Sequence, residues 1–316
     1  MQKIILSTDI TENTPAQRLD QALAHLFSDY SRSQWQQWIK QGFVKVDEKM
    51  ITRTRYQIQA GQHIDICATL ENKHQWQAQS QPLNIVYEDE DIIVINKPAG
   101  LIVHPGAGNP DATLVNALLH HAPELQQLPR GGIVHRLDKN TSGLLVIARN
   151  LTAHHYLVDA IAKRKIERLY RAIVTGNMIA GGSVDAPIGR HPKNRLKMAV
   201  VNQGKPALSE YRVLEKFQHY TYIQVKLASG RTHQIRVHMQ HIHHPLVGDP
   251  VYGGRLQIPA KMSEELQHAL HQFKRQALHA FQLSFLHPRT KMQMSWQALI
   301  PTDMQYLLDL LRKDDC

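Results

Sequence analysis

The chain has 316 residues, of which 42% are hydrophobic and 20% are charged. This balance is ordinary for a globular protein, and the length is enough for two domains. Lysine and arginine outnumber aspartate and glutamate by 37 to 27, giving a net charge of +10 with neutral histidines, which predicts a polyanionic partner such as nucleic acid. The two cysteines, Cys67 and Cys316, exclude a disulfide framework. The sequence shows no signal-peptide pattern and no apolar run near the ~20 residues of a membrane span, so we expect a cytoplasmic protein without a membrane partner.

The first 68 residues predict a small module of two helices followed by strands. Thr14-Pro15 has the pattern of a helix N-cap followed by proline at the first helical position. A second helix is expected from Ser31 or Ser33 to Gly42. The apolar residues that mark these two helices are Leu19, Ala22, Leu23, Leu26, Trp35, Trp38 and Ile39. Strands are predicted at 43–46 and 63–67.

The basic residues of this module allow two interpretations. They are Arg32, Lys40, Lys45, Lys49, Arg53 and Arg55. They could form an ordinary solvated surface, or they could contact RNA. The string YSRSQWQQWIKQGFVKVDEKM resembles the helix pair and the following turn of an S4 RNA-binding domain. This resemblance implies RNA contacts by Arg32, Lys45 and Arg53.

Residues 69–83 are polar, glutamine-rich and poor in aliphatic side chains. They predict a linker between a first domain at 1–68 and a second domain at 84–316. The second domain opens with predicted strands at 85–87 and 92–95, which flank four successive carboxylates at 88–91. Such a run could bind a cation, but a solvated hairpin turn is the expected structure.

Later elements of the second domain follow from apolar periodicity and cap residues. Helices are predicted at 113–121, 151–165, 263–274 and 304–311. Strands are predicted at 168–175, 220–227 and 276–286.

The stretch GGIVHRLDKNTSGLLVIARN at 131–150 contains a polar segment between two apolar runs. The second run is short and apolar throughout, which predicts a buried strand, and turn residues precede it. We therefore expect strand, loop and strand, with Arg136 and Asp138 on one face at the rim of the sheet. The pair could be a structural ion pair. It could also be a catalytic carboxylate whose charged form is favoured by a guanidinium.

The string HRLDKNTSGL resembles the active-site signature of the RluA family of pseudouridine synthases, which isomerise uridine in RNA. Three further strings match the family in the same order: ERLYR at 167–171, ASGRTHQIRVH at 228–238 and HPLVGDPVYGGR at 244–255. The pattern is most similar to the D-type subgroup, which acts on large-subunit ribosomal RNA. The resemblance implies an α+β fold in which a mixed, mostly antiparallel sheet carries the active-site cleft.

The resemblance also implies roles for individual residues. Asp138 is the catalytic carboxylate, Tyr170 packs against the target base, and Arg231 pairs with Asp138 and orients it. The implied substrate-binding residues nearby are His135, Arg136, Thr141 and Arg168. The basic loop RHPKNRLK at 190–197 suggests RNA-backbone contacts by Arg190, Lys193 and Arg195.

No metal or cofactor is expected. Five histidines, at positions 233, 238, 241, 243 and 244, invite a zinc hypothesis, but they lack an HExxH pattern or paired cysteines. In the family's reaction the N1–C1′ bond breaks, the uracil turns and C5 joins C1′, so no external energy or small-molecule cofactor is needed. The implied partner is 23S rRNA or the precursor of the large ribosomal subunit, with clustered uridines in the hairpin loop of helix 69 as the target. A monomer and a secondary role in subunit assembly are the accompanying expectations.

Three alternatives stay open at this point. A synthase of the same family could modify other rRNA or tRNA uridines. A non-catalytic S4-type assembly factor would be expected to lack Asp138, Tyr170 or Arg231, and all three are present. A carboxylate-dependent hydrolase would need a second carboxylate near Asp138.

Overall fold

The computed structural model describes residues 2–12, 14, 18–27, 30, 32–70, 76–106, 108–194, 197–255 and 262–315. The chain separates into two compact units, Met1–Gln75 and Trp76–Cys316. No helix within these described ranges is long and apolar enough to cross a membrane.

The first unit packs two helices on a small antiparallel sheet. The helices are α1 (Leu19–Leu26) and α2 (Arg32–Lys40). The strands are β1 (Gln2–Asp9), β2 (Val44–Val46), β3 (Lys49–Met50) and β4 (His63–Leu70), in the spatial order β1-β4-β2-β3. The two predicted helices and the predicted strands are confirmed, and β1 is an additional strand that pairs with β4 along its whole length.

Helix α1 begins later than predicted. The backbone N–H groups of Leu19 and Asp20 donate to the carbonyls of Tyr56 and Thr54, so the chain enters the helix from an extended segment with Arg18 as N-cap. The prediction of a helix start at Thr14-Pro15 is therefore wrong at Thr14, which lies outside any helix, while residues 15–17 lie outside the described part of the chain.

An aromatic cluster holds the core of the first unit. Trp35 and Trp38 are fully buried, and their rings meet edge to face with centroids 5.0 Å apart. This is the arrangement that the aromatic quadrupole favours. The tryptophans that marked α2 in the sequence therefore fix this helix to the sheet.

The second unit contains five α-helices and eleven strands within its described residues. The helices are α3 (Leu114–His121), α4 (Leu151–Ala162), α5 (Gln234–His241), α6 (Glu264–Gln272) and α7 (Thr302–Asp315). The strands are β5 (Ile85–Glu88), β6 (Ile92–Lys97), β7 (Ser142–Ala148), β8 (Glu167–Thr175), β9 (Gly182–Asp185), β10 (Ile188–Arg190), β11 (Met198–Val200), β12 (Leu208–Lys216), β13 (Tyr220–Leu227), β14 (Leu278–Leu286) and β15 (Gln293–Gln297). Two short 3-10 helices lie at Pro123–Gln127 and Pro129–Gly132.

One large sheet organises this unit. Its order is β5-β6-β7-β14-β8-β13-β12-β9, with β15 also paired to β14. Among the described strands of this sheet, β7 and β14 pair in parallel and the other neighbours are antiparallel. The prediction of a mixed, mostly antiparallel central sheet is confirmed.

The central strands are buried on both faces. In β7, Leu145 and Ile147 belong to the cluster on one face, whereas Leu144 and Val146 belong to the cluster on the other. Burial on both faces explains why this strand has an unbroken apolar sequence instead of an alternating one. Helices α3 and α5 contribute to the first cluster, and α4 contributes to the second.

The apolar run before the active-site string is not a regular strand. Ile133 makes one isolated bridge to Ile147, and the two preceding glycines have left-handed backbones, with φ of 62° at Gly131 and 76° at Gly132. A Cβ at Gly132 would lie 2.0 Å from the carbonyl oxygen of Ala148. A turn that packs closely against β7 therefore takes the place of the first predicted strand.

The linker prediction needs correction at both ends. Thr69 and Leu70 are the last residues of β4, and residues 71–75 lie outside the described part of the chain. From Trp76 onward the chain packs on the second unit, where the Gln79 N–H donates to the Asn116 carbonyl. This contact extends the second unit before the expected residue 84.

Candidate active site

Asp138 lies in the turn that leads into β7, and that turn is anchored from several directions. The Thr141 N–H donates to the Asp138 carbonyl at 3.1 Å. The Thr141 hydroxyl accepts a 3.0 Å hydrogen bond from the Gln276 side chain. Both contacts fix the backbone beside the carboxylate. Thr141, which the family resemblance implies in substrate binding, is buried and has a structural partner.

A buried lysine also anchors this turn. The Lys97 ammonium donates to the carbonyls of Pro98, Leu101 and Lys139 at 2.7, 2.9 and 3.0 Å. Burial lowers the pKa of Lys97 to about 7, against the attraction of Asp138. Three carbonyl acceptors match the three donors of an ammonium group, so Lys97 ties the end of β6 to the active-site turn.

The arginine that contacts Asp138 is Arg236 of α5, and the expected pairing with Arg231 is wrong. Nη1 of Arg236 donates to Oδ2 of Asp138 at 3.0 Å. Its Nε and Nη2 form a bidentate pair with the fully buried Asp249 at 2.7 and 2.8 Å. Burial opposes the charge on Arg236, but the hydrogen bonds and attraction of Asp249 and Asp138 outweigh burial and raise its pKa.

Arg231 lies in the turn before α5 and is exposed. Its Nε donates to the carbonyl of Pro206 at 3.1 Å, and its side chain lines the same cavity as Asp138. Because α5 begins at Gln234, Arg231 stays at the rim, while Arg236 lies on the buried side of the helix. A role for Arg231 in catalysis stays a prediction.

Tyr170 and Arg168 lie two residues apart on β8, both are buried, and both line the cavity. Burial raises the pKa of the Tyr170 hydroxyl, so its neutral form is favoured. The Nε atom of Arg168 is buried without a hydrogen-bond partner among the residues described here. The wall that contains Asp138 therefore also carries an aromatic ring and a guanidinium with an unpaired Nε.

His135 supports the strand beneath the cavity. Its Nε2 accepts the backbone N–H of Val146 at 3.1 Å. Burial, assisted by repulsion from Arg168, lowers the pKa of His135 to about 3. The imidazole is therefore neutral at pH 7 and packs against β7, although it also lines the cavity.

The cavity has a volume of about 410 Å³, within the range of small-ligand sites. Its wall carries six arginines and, among the lining residues that the structure describes, Asp138 is the one carboxylate. These arginines are Arg130, Arg136, Arg164, Arg168, Arg231 and Arg236. Such a wall creates a positive potential that attracts a polyanion, and it offers no nearby second carboxylate for a two-carboxylate hydrolase mechanism.

None of the other predicted RNA-contact residues that the structure describes is among the residues that line this cavity. Lys193 and Arg53 are exposed, and Lys45 is half-exposed with Glu48 at 3.9 Å. Arg190 is exposed, and Arg195 lies outside the described residues. Arg32 is bound to the buried Asp20 at 2.8 Å and stays 44% exposed, so its guanidinium is both a structural partner and accessible. RNA contact by these residues stays a prediction.

The acidic run forms a hydrogen-bonded hairpin turn between β5 and β6. Asp89 accepts the N–H groups of Asp91 and Ile92 and contacts His287 at 2.9 Å. Arg289 pairs with Asp91 at 2.8 Å. Asp89, Asp91 and His287 form the one group of three potential metal ligands found in the described ranges, and these hydrogen bonds and ion pairs account for their proximity. The turn is confirmed, but ion pairs and not solvent balance most of its charge.

Three of the five histidines considered for zinc contact protein groups, and one of these, His233, contacts the Tyr252 hydroxyl at 2.8 Å. His238 is buried and contacts the Ser209 hydroxyl and the Ala186 carbonyl, and His244 contacts the Thr175 carbonyl. His233 lies at the cavity, with Nε2 3.9 Å from Oδ1 of Asp138. No three of these histidines converge on one point in the part of the chain that is described.

Comparison with known proteins identifies the family. Over 313 residues the chain is 51% identical to the ribosomal large subunit pseudouridine synthase D of Vibrio parahaemolyticus, a match that covers 99% of this chain and 96% of that protein. The family model described as RNA pseudouridylate synthase matches residues 91–241. The chain belongs to the RNA pseudouridylate synthase family. It is therefore an RNA pseudouridine synthase, an isomerase that converts uridine to pseudouridine.

Further relatives of this pseudouridine synthase agree with the assignment. The ribosomal large subunit pseudouridine synthase D of Escherichia coli K12 is 50% identical over 99% of this chain and 96% of its own length. The S4 domain model matches residues 17–64. The solved human RNA pseudouridylate synthase domain containing 4 is 26% identical, with a TM-score of 0.57 over 72% of this chain and 93% of that one. These matches confirm an S4 domain followed by a pseudouridine synthase domain.

Four site residues were not predicted: Lys97, His233, Arg236 and Asp249. Lys97, Arg236 and Asp249 are buried charges. Sequence periodicity alone gives no sign that a charged residue points inward. One sequence feature could have indicated a buried Arg236: it lies between the apolar residues Ile235 and Val237, in a string that resembles the family.

Proposed function

We propose that this synthase isomerises uridines of 23S ribosomal RNA, with the clustered uridines in the hairpin loop of helix 69 as its target. The proposal is supported by relatives near 50% identity that are named as large-subunit synthases. The net charge of +10 and the arginine-lined cavity fit an RNA substrate. A ribosomal substrate places the enzyme in the cytoplasm. The substrate is 23S rRNA or the precursor of the large subunit.

The observation that carries the catalytic proposal is the asymmetric environment of the Asp138 carboxylate. Oδ2 is bound by Arg236, whereas Oδ1 has no partner within hydrogen-bond distance among the described residues and borders the cavity. A fixed, ionised carboxylate can attack as a nucleophile or stabilise positive charge on the sugar. Asp138 is thus the catalytic residue, and the hydrogen bond from Arg236 orients it.

The reaction needs the uracil to stay bound while its bonding changes. The N1–C1′ bond breaks with its electron pair moving to the uracil, C5 then bonds to C1′, and the C5 proton is lost while the released ring nitrogen is protonated. Tyr170 offers a flat apolar face for the base, and its hydroxyl assists removal of the C5 proton. Arg168, with its unpaired buried Nε, contributes a hydrogen bond to the substrate.

The target uridine must first leave its stack, at a cost of roughly a few kcal/mol. Phosphate contacts by the basic segments and by the S4 domain compensate for that cost. We assign these contacts to Arg136, Arg190, Lys193, Arg195, Arg32, Lys45 and Arg53. A monomeric state and a second role in subunit assembly stay predictions.

Purified wild-type protein and an Asp138→Asn variant test the proposal on unmodified RNA. The substrates are a helix 69 hairpin, full 23S rRNA and a tRNA mixture, and pseudouridine is mapped at single-nucleotide resolution. Modification of the hairpin-loop uridines by wild type alone is the expected result. Modification of tRNA with untouched 23S rRNA would reject the proposed substrate, and an active Asp138→Asn variant would reject the catalytic residue.

A further inference from the structure

His233 has an unusual backbone at the entrance to α5. Its φ of 57° and ψ of 21° lie in the left-handed region, which side chains other than glycine rarely adopt, although Asn, Asp and His are enriched there. Strained backbone conformations of this kind are concentrated at functional sites, where contacts with the surrounding structure maintain them. The conformation brings the His233 ring into the wall of the catalytic cavity, beside Asp138.

Tyr252 determines which ring nitrogen of His233 carries the proton. The Tyr252 hydroxyl accepts the backbone N–H of Met198 at 2.9 Å and contacts Nδ1 of His233 at 2.8 Å. Because no other acceptor for this hydroxyl occurs among the described residues, we assign its proton to the hydrogen bond with Nδ1. The neutral imidazole must then carry its own proton on Nε2.

The Nε2 atom of His233 lies near the free oxygen of the catalytic carboxylate. Nε2 lies 3.9 Å from Oδ1 of Asp138, while Arg236 binds the other oxygen. A substrate atom that approaches Oδ1 therefore approaches Nε2 as well. Burial lowers the pKa of His233 and outweighs the opposing attraction of Asp138, so the ring can donate a hydrogen bond without acting as a cation.

We propose that His233 is a further catalytic residue of the synthase, which donates a hydrogen bond from Nε2 to the uracil while the ring is detached from C1′. When the N1–C1′ bond breaks, the electron pair leaves negative charge on the ring nitrogen and carbonyl oxygens. A fixed neutral donor stabilises that charge. His233 keeps its own proton throughout, so the proton balance of the reaction is unchanged. The inference rests on the proposed role of Asp138.

Three variants separate this role from a purely structural one. His233→Gln keeps an N–H donor at a similar reach. His233→Asn tolerates the left-handed backbone but is too short to place a donor at the position of Nε2. Tyr252→Phe keeps the ring that Arg236 packs over at 5.0 Å and removes only the hydroxyl that sets the tautomer.

The assay measures single-turnover rate and RNA affinity on an RNA that wild-type protein is first shown to modify, with Asp138→Asn as the blank. We expect His233→Asn to lower the rate about 100-fold, the scale for loss of one preorganised donor, with RNA affinity and melting temperature unchanged. His233→Gln should recover at least tenfold of that loss, and Tyr252→Phe should fall between His233→Asn and wild type. Equal rates for the Asn and Gln variants, a wild-type rate for the Asn variant, or a loss confined to RNA affinity or folding would overturn the proposal. An active Asp138→Asn blank would instead reject the proposed function.

Discussion

Nη1 of Arg236 donates to Oδ2 of Asp138 at 3.0 Å, although 98 positions separate the two residues along the chain. The contact joins the turn before β7 to helix α5, and Asp249 binds the other side of the same guanidinium. A cation between two carboxylates is fixed in position, so the geometry of Asp138 depends on Asp249 as well as on Arg236.

Replacing Arg236 should destabilise the second unit. The Arg236→Gln change leaves the Asp249 side chain, which is 0% exposed, without its cation. The free energy of unfolding should fall by about 3–5 kcal/mol, the usual cost of stranding a buried charge. Urea unfolding measures the loss. An additional Asp249→Asn change removes the stranded charge, keeps an acceptor for the N–H groups of Val251 and Tyr252, and should restore much of the stability without restoring activity. A double variant no more stable than Arg236→Gln would contradict this explanation.

Arg231 provides the matched control for the ion pair. Arg231→Gln removes an exposed guanidinium at the rim of the cavity, so it should change the free energy of unfolding by no more than ~0.5 kcal/mol. If the residue contacts RNA phosphate, this variant should weaken RNA binding and leave the single-turnover rate at saturating RNA nearly unchanged. A larger loss in that rate than Arg236→Gln shows would return the orienting role to Arg231.

The sequence did not predict which arginine pairs with Asp138. The strings around Asp138, Tyr170 and Arg231 identified three residues that line one cavity, and apolar patterning predicted strand β8 and the buried strand β7. Which arginine reaches Asp138 depends on the first turn of α5 and on Asp249, and these are long-range contacts. Apolar periodicity predicts which face of a helix is buried, but it does not show which side chain of that face reaches a loop more than 90 residues away.

Glycine conformation explains a second difference between the predicted and the observed fold. The run Ile133-Val134 has strand-like composition, but Gly131 and Gly132 take left-handed backbones and pass close to β7. A strand prediction from composition cannot detect such an approach. The extra strand β1 was missed for a related reason, because its stability comes from pairing with β4 more than 50 residues later.

Tyr170 is expected to act through both its ring and its hydroxyl. Tyr170→Phe keeps the aromatic face in the buried site and should slow only the steps that follow uracil release. Tyr170→Ala should also remove base stacking, worth about 1–3 kcal/mol by alanine substitution. Rapid-quench kinetics can separate N1–C1′ cleavage from product formation. An unchanged rate of product formation in Tyr170→Phe would contradict the role of the hydroxyl, and identical losses of cleavage rate in the two variants would contradict the role of the ring.

Acid should destabilise the second unit through buried histidines. Burial lowers the pKa of His279 to about 4 from 6.5, against the hydrogen bond to the Ala298 carbonyl. Between these values the unfolded chain binds a proton that the folded chain does not, so the free energy of unfolding decreases as the pH falls from 6.5 towards 4. This residue alone contributes a slope of up to about 1.4 kcal/mol per pH unit. His104 and His135, with pKa values lowered by burial to about 4 and about 3, act in the same direction.

The His279→Asn variant checks that assignment. Asparagine can keep a hydrogen bond to the Ser142 hydroxyl, which contacts Nδ1 of His279 at 2.9 Å, but it does not titrate. Urea unfolding at several pH values should show a shallower decline between pH 6.5 and 4 than the wild type shows. An unchanged pH dependence would mean that another group binds the proton.

The central claim is that this synthase modifies 23S rRNA with Asp138 as its catalytic carboxylate. The most direct test maps pseudouridine in 23S rRNA from cells that lack the gene, complemented with wild type or with Asp138→Asn. We expect the helix 69 sites to disappear in the deletion strain, to return with wild type, and to stay absent with Asp138→Asn, whose activity should be at least about 1,000-fold reduced. Sites that persist in the deletion strain, or that Asp138→Asn restores, would contradict the account.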